Sequence, residues 1–298
     1  MSANLKGTGV ALVTPFTKDF KVDFDALGKL LEHTSNGGVD YFVIHGTTGE
    51  SATTTDKEKS TILKFIKENN PKKLPLVYGL GGNNTQKLIE DLGNVDFSGI
   101  EAILSVSPSY NKPSQEGLFQ HYSRFADHSP LPVILYNVPG RTSVNIAAST
   151  TLRLAQHPNI IGTKEASGSL DQAIEILKNK PNDFLFISGD DFITVPLISL
   201  GAVGLISVLA NALPSLIKDL VHGAMGNNYA LAQKATYDLV DINPLMYREG
   251  NPVGVKQLLK VIGICDAYVR LPLISATPTL QQEISEIFEK SDWAVKAG

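Results

Sequence analysis

Residues 10–16, with the sequence VALVTPF, decide between the two folds that an alternating α/β sequence commonly adopts. The first four residues form an apolar run of the kind that enters a buried strand. A doubly wound sheet would normally carry a glycine fingerprint directly after this first strand. The chain has Thr14-Pro15-Phe16 there, which is no phosphate-binding loop. The stretch therefore favours a closed barrel over a doubly wound sheet.

Seven further apolar runs follow the first, with amphipathic segments between them. Successive runs lie roughly 20–35 residues apart along the chain. The predicted strands cover residues 10–13, 41–44, 76–78, 102–106, 133–136, 160–163, 184–187 and 203–208. Eight strand and helix units of this size are typical of a (β/α)8 barrel, the TIM-barrel fold.

Helix signals stand between several of these runs. An apolar stripe with helical spacing covers residues 27–34. Thr55 with Glu58 and Ser169 with Gln172 form predicted capping boxes, each before apolar residues. The residues after about 225 show helical periodicity and no obvious strand. We therefore predict a catalytic (β/α)8 barrel over residues 1–225 and a small helical C-terminal domain over residues 226–298.

Composition limits the class of protein. With 43% hydrophobic and 19% charged residues, the 298-residue chain is not intrinsically disordered. A net charge of −4 argues against a nucleic-acid-binding protein, which normally has a basic surface. The single cysteine, Cys265, excludes an intrachain disulfide and a cysteine metal cluster. It is typical of a reducing compartment, and we predict a cytoplasmic protein.

One segment is apolar enough to suggest a membrane helix. Residues 192–216 contain no charged residue, and a span needs about 20 mostly apolar residues. Two prolines, two glycines and an asparagine interrupt the segment, however, and they predict short buried pieces of helix, strand and helix. The N-terminal residues also lack the apolar core of a signal peptide. We expect a soluble protein with no membrane partner.

The ends of the predicted strands carry polar residues, and a barrel of this kind forms its active site at those ends. After the second strand, residues 46–50 read GTTGE, which could bind a carboxylate or phosphate or could be a simple turn. Tyr110 follows the fourth strand in a proline-bounded loop, where a packing role is the alternative. Tyr136 ends the fifth strand. Arg141 follows five residues later. Its guanidinium could bind a carboxylate, or it could simply be exposed to solvent.

Lys164 directly follows the sixth predicted strand. An inward-pointing lysine would lose water, and its pKa would fall toward neutrality. Such an amine attacks carbonyl carbon and forms a Schiff base. The alternative is a lysine that extends to solvent from the barrel rim. Strand alternation alone does not decide between the two orientations.

Other chemistries find little support in the sequence. It contains no hydrolase elbow, no P-loop and no zinc-protease motif. The six histidines do not fall at metal-ligand spacings, and only His45 stands at a strand end. Asp190 and Asp191 allow a cation site or a polar strand end that caps the next helix, and we favour the second. We predict no metal.

Together, the strand ends resemble the dihydrodipicolinate synthase branch of the class I aldolase-type pyruvate lyases, from about residue 7 to residue 280. Several motifs carry the resemblance in order along the chain. They are GTTGES at 46–51, SYNKPSQEG at 109–117, LYNVPGRT at 135–142, GTKEA at 162–166, SGDD at 188–191, GLISVLAN at 204–211 and NPVGVK at 251–256.

The resemblance implies a catalytic set of one lysine and three hydroxyl groups. Lys164 would form an imine with pyruvate, and Tyr136 would transfer protons. Thr47 would link Tyr136 to Tyr110, and Tyr110 would reach into the site of the neighbouring subunit. The family members are usually homotetramers built from two tight dimers.

The resemblance also implies substrates and their contacts. Thr48 would hold the carboxylate of pyruvate, Arg141 would bind that of L-aspartate 4-semialdehyde, and Ile206 would line the pocket. The product would be 4-hydroxy-tetrahydrodipicolinate, in lysine and diaminopimelate biosynthesis. No cofactor is implied, because the protonated imine serves as the electron sink.

Two other functions stay open. Sialic-acid lyases and sugar-acid aldolases share the fold, so a pyruvate-dependent aldolase acting on another aldehyde is the first. Arg141 argues against it, because the sialic-acid lyases lack this arginine. A catalytically silent keto-acid sensor is the second. The retained Lys164, Tyr136, Thr47 and Tyr110 argue against that function.

A last group of residues corresponds to the lysine feedback site of inhibited relatives. Its positions are Ser51, Ala52, Asp56, Lys59, Asn83, Lys87 and Ser109. Two of them are lysines where inhibited relatives have other residues, and they would repel a cationic effector. We therefore expect weak or absent inhibition by lysine. Thr163 replaces an aliphatic residue of the family, and we expect little effect because threonine suits a strand.

Overall fold

The computed structural model describes residues 5–293 and contains a closed barrel of eight parallel strands surrounded by helices. Each strand pairs with the next, and β8 closes onto β1. The strands are β1 (Gly7–Ala11), β2 (Tyr41–Ile44), β3 (Leu76–Gly79), β4 (Ala102–Val106), β5 (Val133–Asn137), β6 (Ile160–Glu165), β7 (Leu185–Ser188) and β8 (Gly204–Ser207). The predicted (β/α)8 barrel is confirmed.

The helices alternate with the strands and then continue alone to the C-terminus. The α-helices are α1 (Phe24–Asn36), α2 (Asp56–Glu68), α3 (Thr85–Asp91), α4 (Gln115–His128), α5 (Pro139–Thr142), α6 (Ala148–Leu154), α7 (Leu170–Asn179), α8 (Thr194–Ser199), α9 (Pro214–Met225), α10 (Tyr229–Asp238), α11 (Val253–Val261) and α12 (Pro278–Lys290). Short 3₁₀ helices cover Thr47–Gly49, Ser51–Thr53, Leu92–Asn94, Leu209–Asn211 and Asn243–Met246.

The predicted strands differ from the observed ones mainly at their ends. The first begins at Gly7, three residues before its prediction, because small residues start it. A Cβ at Gly9 would lie 2.3 Å from a ring carbon of Tyr41, so the neighbouring strand supplies the apolar bulk there. The sixth strand continues through Glu165. Lys164 therefore lies within β6 and not after it.

One of the two predicted capping boxes is complete. The Thr55 side chain accepts a hydrogen bond from the backbone of Glu58, whose carboxylate accepts one from the Thr55 N–H. Ser169 also caps its helix by accepting from the backbone of Gln172. The Gln172 side chain, however, donates to Glu165, so that half of the second box is wrong. A buried carboxylate attracts the amide more strongly than the helix end does.

Apolar side chains fill the inside of the barrel and the space between the barrel and its helices. The inner cluster includes Tyr136, Ile187 and Ile206. The largest outer cluster continues from α9 into α11, where Leu258 is fully buried. The helical region after α9 thus packs on the barrel, and the division of the chain near residue 225 stays a prediction.

The uncharged segment of residues 192–216 is divided as predicted. It contains α8, β8, the 3₁₀ turn Leu209–Asn211 and the start of α9. Among residues 5–293, no helix combines the length and the apolar character that crossing a membrane requires.

Replacing Thr163 with valine is expected to raise the free energy of unfolding by about 1 kcal/mol. The Thr163 side chain lies on the outer face of β6 and is 1% exposed, and its hydroxyl has no hydrogen-bond partner among the described residues. Valine has nearly the same shape and removes the unpaired hydroxyl. Urea denaturation would measure the change.

Thr150→Val is the matched control. The Thr150 hydroxyl is equally buried, but it donates to Gln115 at 2.7 Å, so this change should destabilise the protein. A loss of stability in Thr163→Val as large as that in Thr150→Val would contradict the prediction.

Candidate active site

Lys164 points into the barrel. Its neighbours in register are Tyr136 on β5 and Ile187 on β7, and both belong to the inner apolar cluster. The Lys164 Nζ lies 4.3 Å from the centroid of the Tyr136 ring, and the residue is 5% exposed. This geometry excludes the alternative of a lysine that extends from the rim to solvent.

The turn after β7 packs directly on the alkyl part of Lys164. A Cβ added to Gly189 would lie 2.9 Å from the Lys164 Cε and 2.7 Å from the Cβ of Ala166. Only a residue without a side chain leaves room for the lysine there. The sequence analysis quoted this glycine within a motif but gave it no role.

A cavity of about 590 Å³ opens at the carboxyl ends of the strands, and Lys164 does not line it but contacts Tyr136, which does. Tyr136 and Thr47 line it together with Asn251. Asn251 donates through its side-chain amide to the Thr48 hydroxyl at 2.9 Å, and Thr48 is buried. The C-terminal region therefore holds the GTTGE turn in place. Asn251 lay in a quoted motif without a predicted role.

The predicted hydroxyl relay is not closed within one chain. In residues 5–293 no hydrogen bond joins Thr47 to Tyr136 or to Tyr110, and the Thr47 side chain is exposed. Tyr110 is 91% exposed and has a positive φ of 69°. The structure thus brings Tyr136 to Lys164, while Tyr110 projects from the surface of the chain.

Two predicted substrate contacts lie at different depths. Ile206 is fully buried on β8 and belongs to the inner cluster. Arg141 lies in the short helix α5 at the end of β5 and is exposed, and its guanidinium has no ion pair within the described part of the chain. The arginine is therefore available to an anion from solution.

The residues predicted from the resemblance to form a lysine feedback site are only partly together. Five of them line the 590 Å³ cavity, namely Ser51, Ala52, Lys59, Asn83 and Ser109. Asn83 is bonded to the backbone of Ser109 in both directions, at 2.7 and 2.9 Å. Asp56 and Lys87 do not line this cavity, and Lys87 pairs with Asp91 at 2.7 Å.

The two aspartates after β7 have separate roles. The Asp190 carboxylate accepts from the N–H of Phe192 and closes a turn before α8, whose N-cap Ile193 makes no side-chain bond. The prediction that these aspartates cap the next helix is therefore wrong, because the Asp190 carboxylate binds the backbone before that helix begins. The Asp191 carboxyl is buried, and burial raises its pKa to about 6, with Asp190 adding to the rise. Within residues 5–293, no cluster of three or more potential metal ligands was found.

A buried ion pair supports the GTTGE turn from below, and sequence reasoning did not find it. Glu50 has a positive φ of 53°, and its carboxylate accepts from Lys256 Nζ at 2.5 Å and from the Arg270 N–H at 2.9 Å. Lys256 also donates to the carbonyl of Tyr268 at 2.8 Å and is 0% exposed. The ring of Phe16 lies under both cations.

His45 has a structural environment. Its ring is buried against Tyr78, and Nε2 lies 3.0 Å from the carbonyl oxygen of Lys59. Burial lowers the pKa of His45 to about 4, so the ring is neutral near pH 7. A neutral ring bonded to a backbone carbonyl accounts for this histidine without a catalytic role.

Comparisons with known proteins agree with this geometry. The profile of the Dihydrodipicolinate synthetase family matches residues 4–291. The 4-hydroxy-tetrahydrodipicolinate synthase of Cytophaga hutchinsonii is 52% identical over 284 residues, which are 95% of this chain and 96% of that protein.

Solved structures of this kind superpose closely. The chloride-inhibited dihydrodipicolinate synthase from Acinetobacter baumannii, complexed with pyruvate, is 36% identical with a TM-score of 0.92, covering 96% of this chain and 98% of that one. A monomeric dihydrodipicolinate synthase variant is 32% identical with a TM-score of 0.92, covering 95% and 96%.

Proposed function

This chain belongs to the dihydrodipicolinate synthetase family, and we propose that it condenses pyruvate with L-aspartate 4-semialdehyde to give 4-hydroxy-tetrahydrodipicolinate. The reaction would supply lysine and diaminopimelate biosynthesis. One observation carries the proposal. The amine of Lys164 is held inside the barrel against the ring of Tyr136, and Tyr136 in turn lines an open cavity.

Lys164 attacks the ketone carbon of pyruvate, and water leaves to form a protonated imine. Loss of a proton from the methyl group then gives an enamine. The enamine carbon bonds to the aldehyde carbon of the second substrate, whose oxygen takes up a proton. The amino group of that substrate finally displaces Lys164 from the imine carbon and closes the ring. No metal or organic cofactor is needed, since the imine holds the electron pair.

Tyr136 carries protons to and from these intermediates. The Tyr136 ring lies against Lys164, and Tyr136 also lines the cavity. A phenol in this place suits the task because the strand ends offer no ionisable histidine beside the amine. Thr47 and Tyr110 extend the relay toward solvent. The exposure of Tyr110 in a single chain supports a role in the site of a neighbouring subunit.

Two anion sites select the substrates. Thr48, fixed by Asn251, binds the carboxylate of pyruvate with nearby backbone amides. Arg141 has no ion pair within residues 5–293, and its guanidinium binds the second carboxylate, which favours aspartate semialdehyde over neutral sugar aldehydes. Ile206 closes the apolar side of the pocket. Orientation between two fixed anion sites can supply about 7–11 kcal/mol of the barrier reduction.

The assembly that we propose is a homotetramer of two tight dimers, with Tyr110 crossing the tight interface. The exposed Tyr110 loop supports a dimer. A monomeric variant exists among structures similar to this chain, so sedimentation is the direct measurement. We also propose a cytoplasmic location, which the single half-buried Cys265 supports.

Borohydride trapping tests the proposal. The protein, incubated with pyruvate and reduced, should gain the mass of one reduced pyruvate on the peptide that contains Lys164. Turnover of aspartate semialdehyde should then exceed that of sugar-acid aldehydes. An adduct with turnover only of sugar aldehydes would identify the other aldolase function. The complete lack of an adduct would identify the keto-acid sensor.

Lysine is expected to inhibit weakly or not at all. Lys59 lines the cavity where the effector would bind. The nearest Asp56 carboxylate oxygen lies 3.8 Å from the Lys59 Nζ, so the pair is long and neutralises the lysine charge only weakly. The positive charge of a lysine effector would be repelled by Lys59 in this cavity. A steady-state assay with low millimolar lysine would check this. Lys59→Ala should make the enzyme more sensitive, with Lys64→Ala on the same helix as control, while strong inhibition of the unchanged protein would disprove the prediction.

A further inference from the structure

We propose that Asp191 is a positioning residue of the first half-reaction, and that its buried carboxylate stabilises the protonated imine of Lys164. The inference rests on the proposed function, because this imine forms only when the lysine attacks pyruvate. Asp191 does not touch the substrate in this proposal. It acts through Lys164.

The position of Asp191 follows from the turn after β7. Gly189 packs against the Lys164 side chain, and Asp191 follows two residues later. Asp191 is 2% exposed, so water does not screen its charge. An unscreened charge acts over a longer distance than a surface charge does. Lys164 is the cation whose charge acts on the Asp191 carboxyl and favours its ionised form.

Two hydroxyl groups hold this carboxylate. The Ser207 hydroxyl donates to Oδ1 and itself accepts from the N–H of Ala210 at 2.9 Å, so its proton is directed to Asp191. The Tyr247 hydroxyl approaches Oδ2 at 3.4 Å. Asp191 forms no salt bridge with any described residue. Burying a charged carboxylate that has only hydroxyl donors lowers the stability of the fold, so we infer that the charge serves the function of the site.

The other buried carboxylate near Lys164 does not compete for this role. Glu165 points to the opposite face of β6, where it accepts from the side chains of Asn137 and Gln172 and from the N–H of Ser167. These donors satisfy its charge. Asp191 is therefore the carboxylate whose charge is available to the lysine.

Ionisation of Asp191 sets the expected pH dependence. Burial, and to a lesser degree Asp190, raise its pKa, Ser207, Lys164 and Tyr247 lower it, and the result is a pKa of about 6. The carboxylate is charged above this pH and neutral below it. The value of kcat/KM for pyruvate should therefore fall as the pH drops through about 6. The charges of Tyr136 and Arg141 also act on Tyr247, whose pKa Tyr136 raises and Arg141 lowers.

Asp191→Asn keeps the shape of the side chain and removes its charge. We expect kcat/KM for pyruvate to fall by about tenfold to a hundredfold near pH 8, and the acid limb of the profile to disappear. Asp183→Asn, at an exposed aspartate before β7, is the control and should change neither. A variant within about twofold of the unchanged protein, with the limb retained, would overturn the proposal.

Tyr247→Phe tests the same idea without removing the carboxylate. Loss of one donor to the charged form raises the pKa of Asp191, so the acid limb should move to higher pH by about half a unit to one unit. Tyr237→Phe, an exposed tyrosine of α10, should leave the limb in place. A limb that Tyr247→Phe does not move, in a folded variant, would also overturn the proposal, since a purely structural contact would not shift it.

Borohydride trapping of the unchanged protein separates the two levels of the argument. Failure to trap pyruvate on Lys164 would refute the proposed function and this inference with it. Trapping on Lys164, combined with an unaltered pH profile in Asp191→Asn, would refute only the inference.

Discussion

Lys164→Ala should lower turnover by about 10⁴-fold or more and abolish borohydride trapping. The amine lies against the ring of Tyr136, among the side chains of the inner apolar cluster, and only an amine forms an imine with a ketone. No neighbouring side chain can take over the covalent step. Turnover of pyruvate with aspartate semialdehyde, followed alongside trapping by mass, would measure the loss.

The fold should survive this substitution. Lys164 makes no salt bridge with a described residue, so its removal breaks no ion pair there, and Asp191 keeps its hydroxyl donors Ser207 and Tyr247. Circular dichroism should match that of the unchanged protein. Lys64→Ala, at an exposed lysine of α2, is the control for a lost lysine and should leave turnover intact. A Lys164→Ala protein that retains a tenth of the turnover would show that the chemistry does not pass through this amine.

Lys256→Met should lower the free energy of unfolding by about 3–5 kcal/mol. The substitution leaves the Glu50 carboxylate buried, with the Arg270 N–H as its one remaining hydrogen-bond donor among residues 5–293. Burial already lowers the pKa of Lys256, but the ion pair with Glu50 opposes this and keeps the charge in place. Methionine fits the alkyl part of the side chain and offers no charge. Thermal and urea denaturation would both report the loss.

Two further variants separate the ion pair from its surroundings. Lys290→Met breaks an exposed pair of helix α12 and should cost less than about 1 kcal/mol. Glu50→Gln combined with Lys256→Met removes both charges and should recover part of the stability lost in Lys256→Met. If the double variant loses more free energy of unfolding than the two single variants lose together, the pair contributes through packing and not through charge.

Catalysis should respond as well, because Glu50 ends the turn that contains Thr47 and Thr48. A loosened turn would weaken the pyruvate site, so KM for pyruvate should rise in Lys256→Met more than kcat falls.

The barrel could be predicted from the chain because it depends on short-range patterns, whereas the orientation of Lys164 was left open by strand alternation and was decided by the packing of the barrel interior. Apolar runs at regular spacing specify the strands, and GTKEA ends one of them. Strand ends were less accurate. Gly7 and Thr8 begin β1 without an apolar signal, and Tyr41 from the next strand fills the barrel beside Gly9.

The supports of the site could not be read from spacing. Asn251 and Lys256 contact Thr48 and Glu50, which lie more than two hundred residues away in the chain. Tyr247 and Ser207 meet at Asp191 from different elements, and neither residue type signals such a contact. Pairings at this separation are set by the closed barrel, which periodicity does not describe.

The bond between Asn251 and Thr48 has a consequence for how such enzymes can be recombined. Chimeras that join the barrel of one relative to the terminal helices of another would separate the donor from its acceptor, even when each half folds well. The two segments should therefore be inherited and exchanged together. Hybrids whose parents are joined between α9 and α10 should fold but have low activity, unless the residue at position 251 matches the GTTGE turn of the barrel parent.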